Sequence, residues 1–318
     1  MVRLYHHLTK TQRKTARKRQ IQKNVCLSLS AFIIVVTSVI LTSKKDAFTV
    51  KRQNTAVSVI STEDVSVTAR EDKVMDALRK DKFASELTLL YKKYPEVSEL
   101  ILNRDSYPDW LIEYWINHEE AVQWVIDYPE YADKPAEEIE QKALESINIE
   151  DYGMQGEIPI YYQWDQTWGY ASYGAGTVAE GGCGPTCMAM VITGLTKDMT
   201  MTPKKVADFS EENGYYAEDA GTSWELMQSG AEALGLKVLE VKWEKSAVLK
   251  QLKAGNPIIC SMGPGDFTQE GHFVVLTDVT KDGKIKLNDP NSRQNTEKMW
   301  DTQELLDQMK SMWAYKAK

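Results

Sequence analysis

GGCGPTCMAMVITGL, Gly181 to Leu195, reads as a turn that runs into a buried helix. Its glycines leave the backbone free to turn, and Met188, Ala189, Val191 and Ile192 give the helix an apolar surface that must be covered. Cys183 stands where the chain enters that helix. The unbonded N–H groups of a helix start favour an anion, so a thiol placed there is drawn towards the thiolate. Cys183 is therefore a candidate nucleophile. Cys187, one turn later, lacks that placement and is expected to pack or lie beneath the site.

Working outward, the apolar strand HFVVLTDV (272–279) is followed by a Lys281-Asp282-Gly283-Lys284 turn and a second strand IKLND (285–289). The Asp-Gly pair is a strong antiparallel hairpin signal. Folding on it brings residue 289 back near residue 272 or 274. Asp289 can then accept from the His272 imidazole and fix its tautomer, with the other ring nitrogen towards a thiol. Asn288 competes for that role, but adjacent strand residues face opposite sides, so only one of the two points inward. A histidine at a strand edge is ordinarily a core or rim group and an Asp-Pro pair ordinarily a turn; a cysteine at a helix start changes that balance. His6 and His7 lie in a basic amino-terminal segment and His118 at a charged helix start, which leaves too few histidines for a zinc site with the cysteines. No metal and no cofactor are expected. Acyl transfer to sulfur further needs donors for an oxyanion. The N–H of Cys183 is one, and IPIYYQWDQTW offers Gln163 or Gln166 as the second.

The other elements follow from caps and breakers. Helices are expected from about 184 to 194, from Thr202-Pro203 to Gly214, from Ser223 to Gly235 and up to Gly255, with strands at 236–243 and 257–262. Helices first and a mostly antiparallel sheet second make an α+β fold. Upstream, residues 70–148 read as four or five short helices rich in Trp and Tyr. Val74, Leu78, Leu87, Leu90 and Tyr91 share a stripe there. Tyr94-Pro95, Tyr107-Pro108 and Tyr128-Pro129 each precede a helical run, because proline suits a first helical turn. That region is expected to pack on itself and on the following domain, with a peptide- or wall-binding surface as the other reading.

The pieces IPIYYQWDQTWGYASYG, GGCGPTCMAMVITGL, MTPKKVADFSEENGYY, GTSWELMQSGAEALGL and FTQEGHFVVLTDVTKDGKIKLNDP resemble the papain-like cysteine peptidases of the C39-like group, relatives of bacteriocin-leader peptidases. The resemblance runs from about residue 158 to 290 and is most specific at GCGPT and at GHFVVL with NDP. It implies a papain-like fold in which Cys183 attacks a peptide carbonyl, His272 acts as base then acid, and Asp289 orients His272. Gln163, the first glutamine of its segment, corresponds to the oxyanion donor. The chain lacks an ATP-binding module and a six-helix transport region, so coupling to transport is not implied.

Charge locates the parts. The chain has 318 residues with 38 Lys+Arg, 46 Asp+Glu and a formal net charge of -8. Residues 1–23 hold eight of the basic residues and no acid, so the remainder stands at -16. An acidic bulk argues against a nucleic-acid partner. Behind the basic block, Val25 to Leu41 carries no charge and reaches about 26 Å as a helix, near the short end of a bilayer span. No small-x-small cleavage pattern follows it, so an uncleaved anchor is expected, with the amino terminus in the cytoplasm. The expected organisation is a basic tail (1–23), an anchor in the lipid bilayer (24–43), a stalk (44–69), a helical region (70–150) and a peptidase domain (151–318). The exported part then faces outward from a membrane expected to be that of a Gram-positive bacterium. It holds Cys183, Cys187 and Cys260, an odd number that leaves at least one unpaired or paired between chains. Peptide or protein is the expected substrate. The competing functions are an amidase or transpeptidase of cell-wall peptides and a catalytically silent adhesion module.

Overall fold

Prolines and short turns divide the first part of the described chain into helices. The computed structural model describes residues 62–218 and 221–318. The basic tail, the expected anchor at 24–43 and the expected stalk as far as residue 61 lie outside them. Among the described residues no helix is long and apolar enough to cross a membrane. Seven described α-helices precede the first strand: α1 (Thr62–Lys80), α2 (Ala84–Lys93), α3 (Ser98–Leu102), α4 (Asp109–Asn117), α5 (Val122–Ile126), α6 (Tyr128–Ala132) and α7 (Ala136–Leu144). They are more numerous than the four or five expected, and α1 begins inside the expected stalk. Pro95 opens a 3₁₀ turn, Pro108 caps α4 and Pro129 lies in the first turn of α6. The helices surround a core of Val74, Leu78, Leu87, Leu90, Leu111, Ile112, Trp115 and Trp124. Trp164 and Ala179 join it from further along the chain, and Ser66–Lys318 form one compact unit.

Next come the short ribbons β1 (Met154–Gln155) with β2 (Ile158–Pro159) and β3 (Ser172–Tyr173) with β4 (Gly176–Thr177). They lead into α8 (Val178–Gly181) and α9 (Cys183–Thr196). Every residue of α9 from Gly184 to Gly194 is buried, as expected of a helix apolar on all sides. Thr202 starts α10 (Pro203–Glu212) by accepting the Lys205 N–H at 3.2 Å. After β5 (Tyr216–Ala217) and β6 (Gly221–Thr222), a 3₁₀ turn at Trp224–Met227 and α11 (Ser229–Ala233) replace the single helix expected from Ser223.

The main sheet is built from β7 (Leu236–Leu239), β8 (Ile258–Met262), β9 (His272–Val279), β10 (Ile285–Asn288) and β11 (Met309–Ala317), in the order β10-β9-β8-β11-β7. Every pairing is antiparallel. α12 (Lys245–Lys253) precedes β8, while α13 (Arg293–Glu297) and α14 (Thr302–Leu306) lie between β10 and β11. β7 stops at Leu239, four residues short of expectation. β11 was not foreseen, yet it lies between β8 and β7 and joins them. Side chains alternate across the sheet. Ile259, Phe273 and Val275 pack with α9, whereas Ile258, Cys260, Val274 and Leu276 pack with Val248 and Leu252 of α12. Two covered faces explain why PIICSM and HFVVL read as unbroken apolar runs.

Candidate active site

Cys183 is the first residue of α9 and is partly exposed, with no disulfide partner. The first main-chain bond here runs from the Thr186 N–H to the Gly182 carbonyl at 2.9 Å, and Pro185 has no N–H. The N–H groups of Cys183 and Gly184 thus stand ahead of the hydrogen-bond ladder, where an anion is favoured. The flanking glycines are needed for space. A Cβ on Gly182 would stand 2.5 Å from the Val178 carbonyl oxygen, and one on Gly184 would stand 2.6 Å from the Thr222 side chain. Thr222 is itself held by the Tyr173 hydroxyl at 2.9 Å. Cys187 and Cys260 are buried, and burial pushes both thiols above their ordinary range. They are inert by comparison.

His272 opens β9 and is 8% exposed; Asp289 follows β10 and is 1% exposed. His272 Nε2–H donates to Asp289 Oδ1 at 2.7 Å. The Cys183 side chain is near enough to act on the ring, and with Nε2 held by Asp289 the nitrogen left for it is Nδ1. Burial alone would lower the imidazole pKa. The Asp289 charge and hydrogen bond outweigh it, with Cys183 adding to them, and raise it to about 10.

A one-residue bulge decides which side chain of the Asn-Asp pair meets His272. Ile285 and Lys286 pair with Val279 and Asp278, but Leu287 and Asn288 pair with Leu276 and Val275, so Thr277 is the extra residue on β9. In the unshifted register Asn288 would align with Leu276. In the observed one Asn288 aligns with Val275, and Asp289 comes into step with Val274 and, two residues earlier, His272. A shift of one residue exchanges faces. Asn288 instead donates to the Pro159 carbonyl at 2.8 Å.

The two glutamines are also separated. Gln163 is buried, receives its place from a main-chain bond to the Pro290 carbonyl at 2.8 Å, and donates Nε2–H to the Ala179 carbonyl at 2.6 Å. That bond closes the 20-residue interval to Cys183, which the β3–β4 ribbon and α8 fill. Since Ala179 O can only accept, it selects the NH₂ end of the amide and leaves a second N–H for another acceptor. Gln166 turns to Asp127 instead.

Sequence reasoning missed the residues that hold Asp289. Its Oδ1 also accepts the Asn291 N–H at 2.9 Å, Oδ2 accepts Asn295 Nδ2–H at 2.8 Å, and its own N–H donates to Thr296 Oγ1 at 3.0 Å. DPNSRQNT carried a partial signal, because Ser292 is the N-cap of α13 and accepts the Asn295 N–H at 3.1 Å. His272 thus meets Asp289, and Gln163 is tied to Ala179, four residues before Cys183, whereas Asn288 and Gln166 take other partners. A thiol at a helix start, a buried imidazole fixed by a carboxylate and a fixed amide donor are the parts that acyl transfer to sulfur requires. No curated protein and no solved structure matches the chain. A family model described as Peptidase_C39 like family matches residues 155–318, just over half of the chain, and extends the resemblance through β11. The chain belongs to that family.

Proposed function

We propose that this protein is a membrane-anchored, outward-facing cysteine peptidase that hydrolyses peptide bonds through Cys183, His272, Asp289 and Gln163. The family supports a peptidase of the cysteine type acting on peptide or protein. The observation that supports the residue assignment is the 2.7 Å bond between His272 Nε2 and Asp289 Oδ1, which leaves Nδ1 for Cys183.

The chemistry follows from those positions. A proton passes from the Cys183 thiol to His272, and Asp289 stabilises the imidazolium. The thiolate attacks the carbonyl carbon and forms the C–S bond, while charge on the oxygen is met by the Cys183 N–H and Gln163. His272 then protonates the leaving amine as the C–N bond breaks. Water, deprotonated by His272, attacks the thioester; the C–S bond breaks and the thiol is restored. Anchorage in the bilayer rests on the uncharged run Val25 to Leu41 and the eight basic residues before it.

The test is labelling of the chain with a thiol-directed peptidyl electrophile. Wild type should label and turn over peptides from a broad library, Cys183→Ala should do neither, and His272→Ala should label at least about 100-fold more slowly. Equal labelling of wild type and Cys183→Ala would sink the nucleophile assignment. Labelling without peptide cleavage would favour amide hydrolysis or transpeptidation of cell-wall peptides.

A further inference from the structure

We propose that the amino-terminal helices, which lie outside the family match, are a working part of this active site, with Tyr114 and Glu120 as positioning residues for Gln163 and Asp289. The inference rests on the peptidase reading above and deepens it. Both sides of the site are held from that region.

On the oxyanion side, Tyr114 of α4 donates its hydroxyl to the Ala179 carbonyl at 2.7 Å, and Gln163 Nε2–H donates to the same oxygen at 2.6 Å. The two donors together fill the oxygen's acceptor capacity. Tyr114 fixes the direction of the carbonyl, and the carbonyl fixes which end of the Gln163 amide faces it. The Tyr114 ring is itself clamped, stacked on His118 at 4.2 Å and edge-on to Trp124 at 5.1 Å.

On the aspartate side, Glu120 lies just before α5 and reaches across to the start of α13. It accepts from Ser292 Oγ at 3.0 Å, from the Gln294 N–H at 3.3 Å and from the Arg293 N–H. Three donors on one carboxylate hold the turn that carries Asn291, Ser292 and Asn295. Asn291 and Asn295 in turn bind the two oxygens of Asp289. The path from Glu120 to His272 therefore runs through Ser292, Asn295 and Asp289 with a hydrogen bond at each step. An ordinary packing interface needs no such convergence on the donor and the carboxylate.

The two ends differ in what they should change. Attack on a carbonyl needs oxyanion donors, whereas alkylation of a thiolate does not. With the full-length chain, Tyr114→Phe should slow acylation by p-nitrophenyl acetate about 10-fold and leave alkylation of Cys183 by iodoacetamide within about twofold. Gln163→Ala should show the same split at about 100-fold. Glu120→Gln should lower the His272 titration, followed by NMR of the ring, by about half a unit or more, because Asp289 is less firmly held. The groups acting on that ring are Asp289 and Cys183. Lys82→Ala, which removes an exposed ion pair to Asp109 in the same region, should change neither readout. If Tyr114→Phe is acylated at the wild-type rate, or slows acylation and alkylation alike, the oxyanion half is wrong. An unmoved His272 titration in Glu120→Gln overturns the other half. Failure of the wild type itself to be acylated sinks the peptidase reading instead, and the NMR titration still decides the part played by Glu120.

Discussion

At the residue scale, reactivity is set by where each side chain lies relative to water and to a countercharge. The three described cysteines, alike in chemistry, occupy two kinds of environment. Cys183 meets a helix start and an imidazole, whereas Cys187 and Cys260 are buried and held as thiols. Iodoacetamide on the native protein at neutral pH should therefore modify Cys183 and spare the other two until urea is added, as peptide mapping would read. His272 carries a pH dependence of opposite sense to an acid. Its pKa rises from 6.5 to about 10 on folding, so its stabilising contribution is complete below 6.5 and disappears as pH climbs through about 10. The difference in urea midpoint between wild type and His272→Gln should be largest at about pH 6.5 and just below, and shrink towards pH 10. An unchanged difference across that range would contradict the coupling.

At the element scale, the β9–β10 hairpin shows how one inserted residue selects a partner. Both strands and their Asp-Gly turn were legible, because alternation and turn residues are local signals. The choice between Asn288 and Asp289 was not, since it depends on the bulge at Thr277, whose hydroxyl donates to the Lys286 carbonyl at 3.2 Å. Deleting Thr277 should close the bulge and keep Leu287 opposite Leu276 and Asn288 opposite Val275, so that Asp289 stays in step with His272. Alkylation of Cys183 is therefore expected to stay within about threefold of wild type. A far larger loss in a deleted chain that keeps its circular dichroism spectrum would mean that register is not what aligns the carboxylate. Gln163 and Gln166 teach the same lesson. Their segment offered both, and the separation came from Ala179 in one case and Asp127 in the other.

At the scale of the molecule, the family match and the folded body do not share a boundary. The match begins at residue 155, whereas Trp164 and Ala179 belong to the core made by α1–α5. Trp164 packs there at 5% exposure, so Trp164→Ala should cost about 3–5 kcal/mol in the urea unfolding of the full chain. Because its neighbour Gln163 holds the Ala179 carbonyl, acylation of Cys183 should suffer in the same variant. A stable protein with normal acylation would separate the two regions. The net charge of -8 divides differently again, with eight basic residues before the uncharged run and an excess of acid after it.

The sequence by itself determined the kinds of element and the residues able to do chemistry. A cysteine between glycines ahead of an apolar helix, a histidine at the head of an apolar strand and an aspartate across an Asp-Gly hairpin are all short-range patterns. Tertiary structure alone decided their partners. The central place of β11, the bulge that brings in Asp289, the carbonyl that claims Gln163 and the Tyr114 and Glu120 bonds join residues from 16 to more than 170 positions apart. Propensity and periodicity act over one or two turns of chain, whereas those choices follow from burying two sheet faces and pairing each polar group enclosed between them.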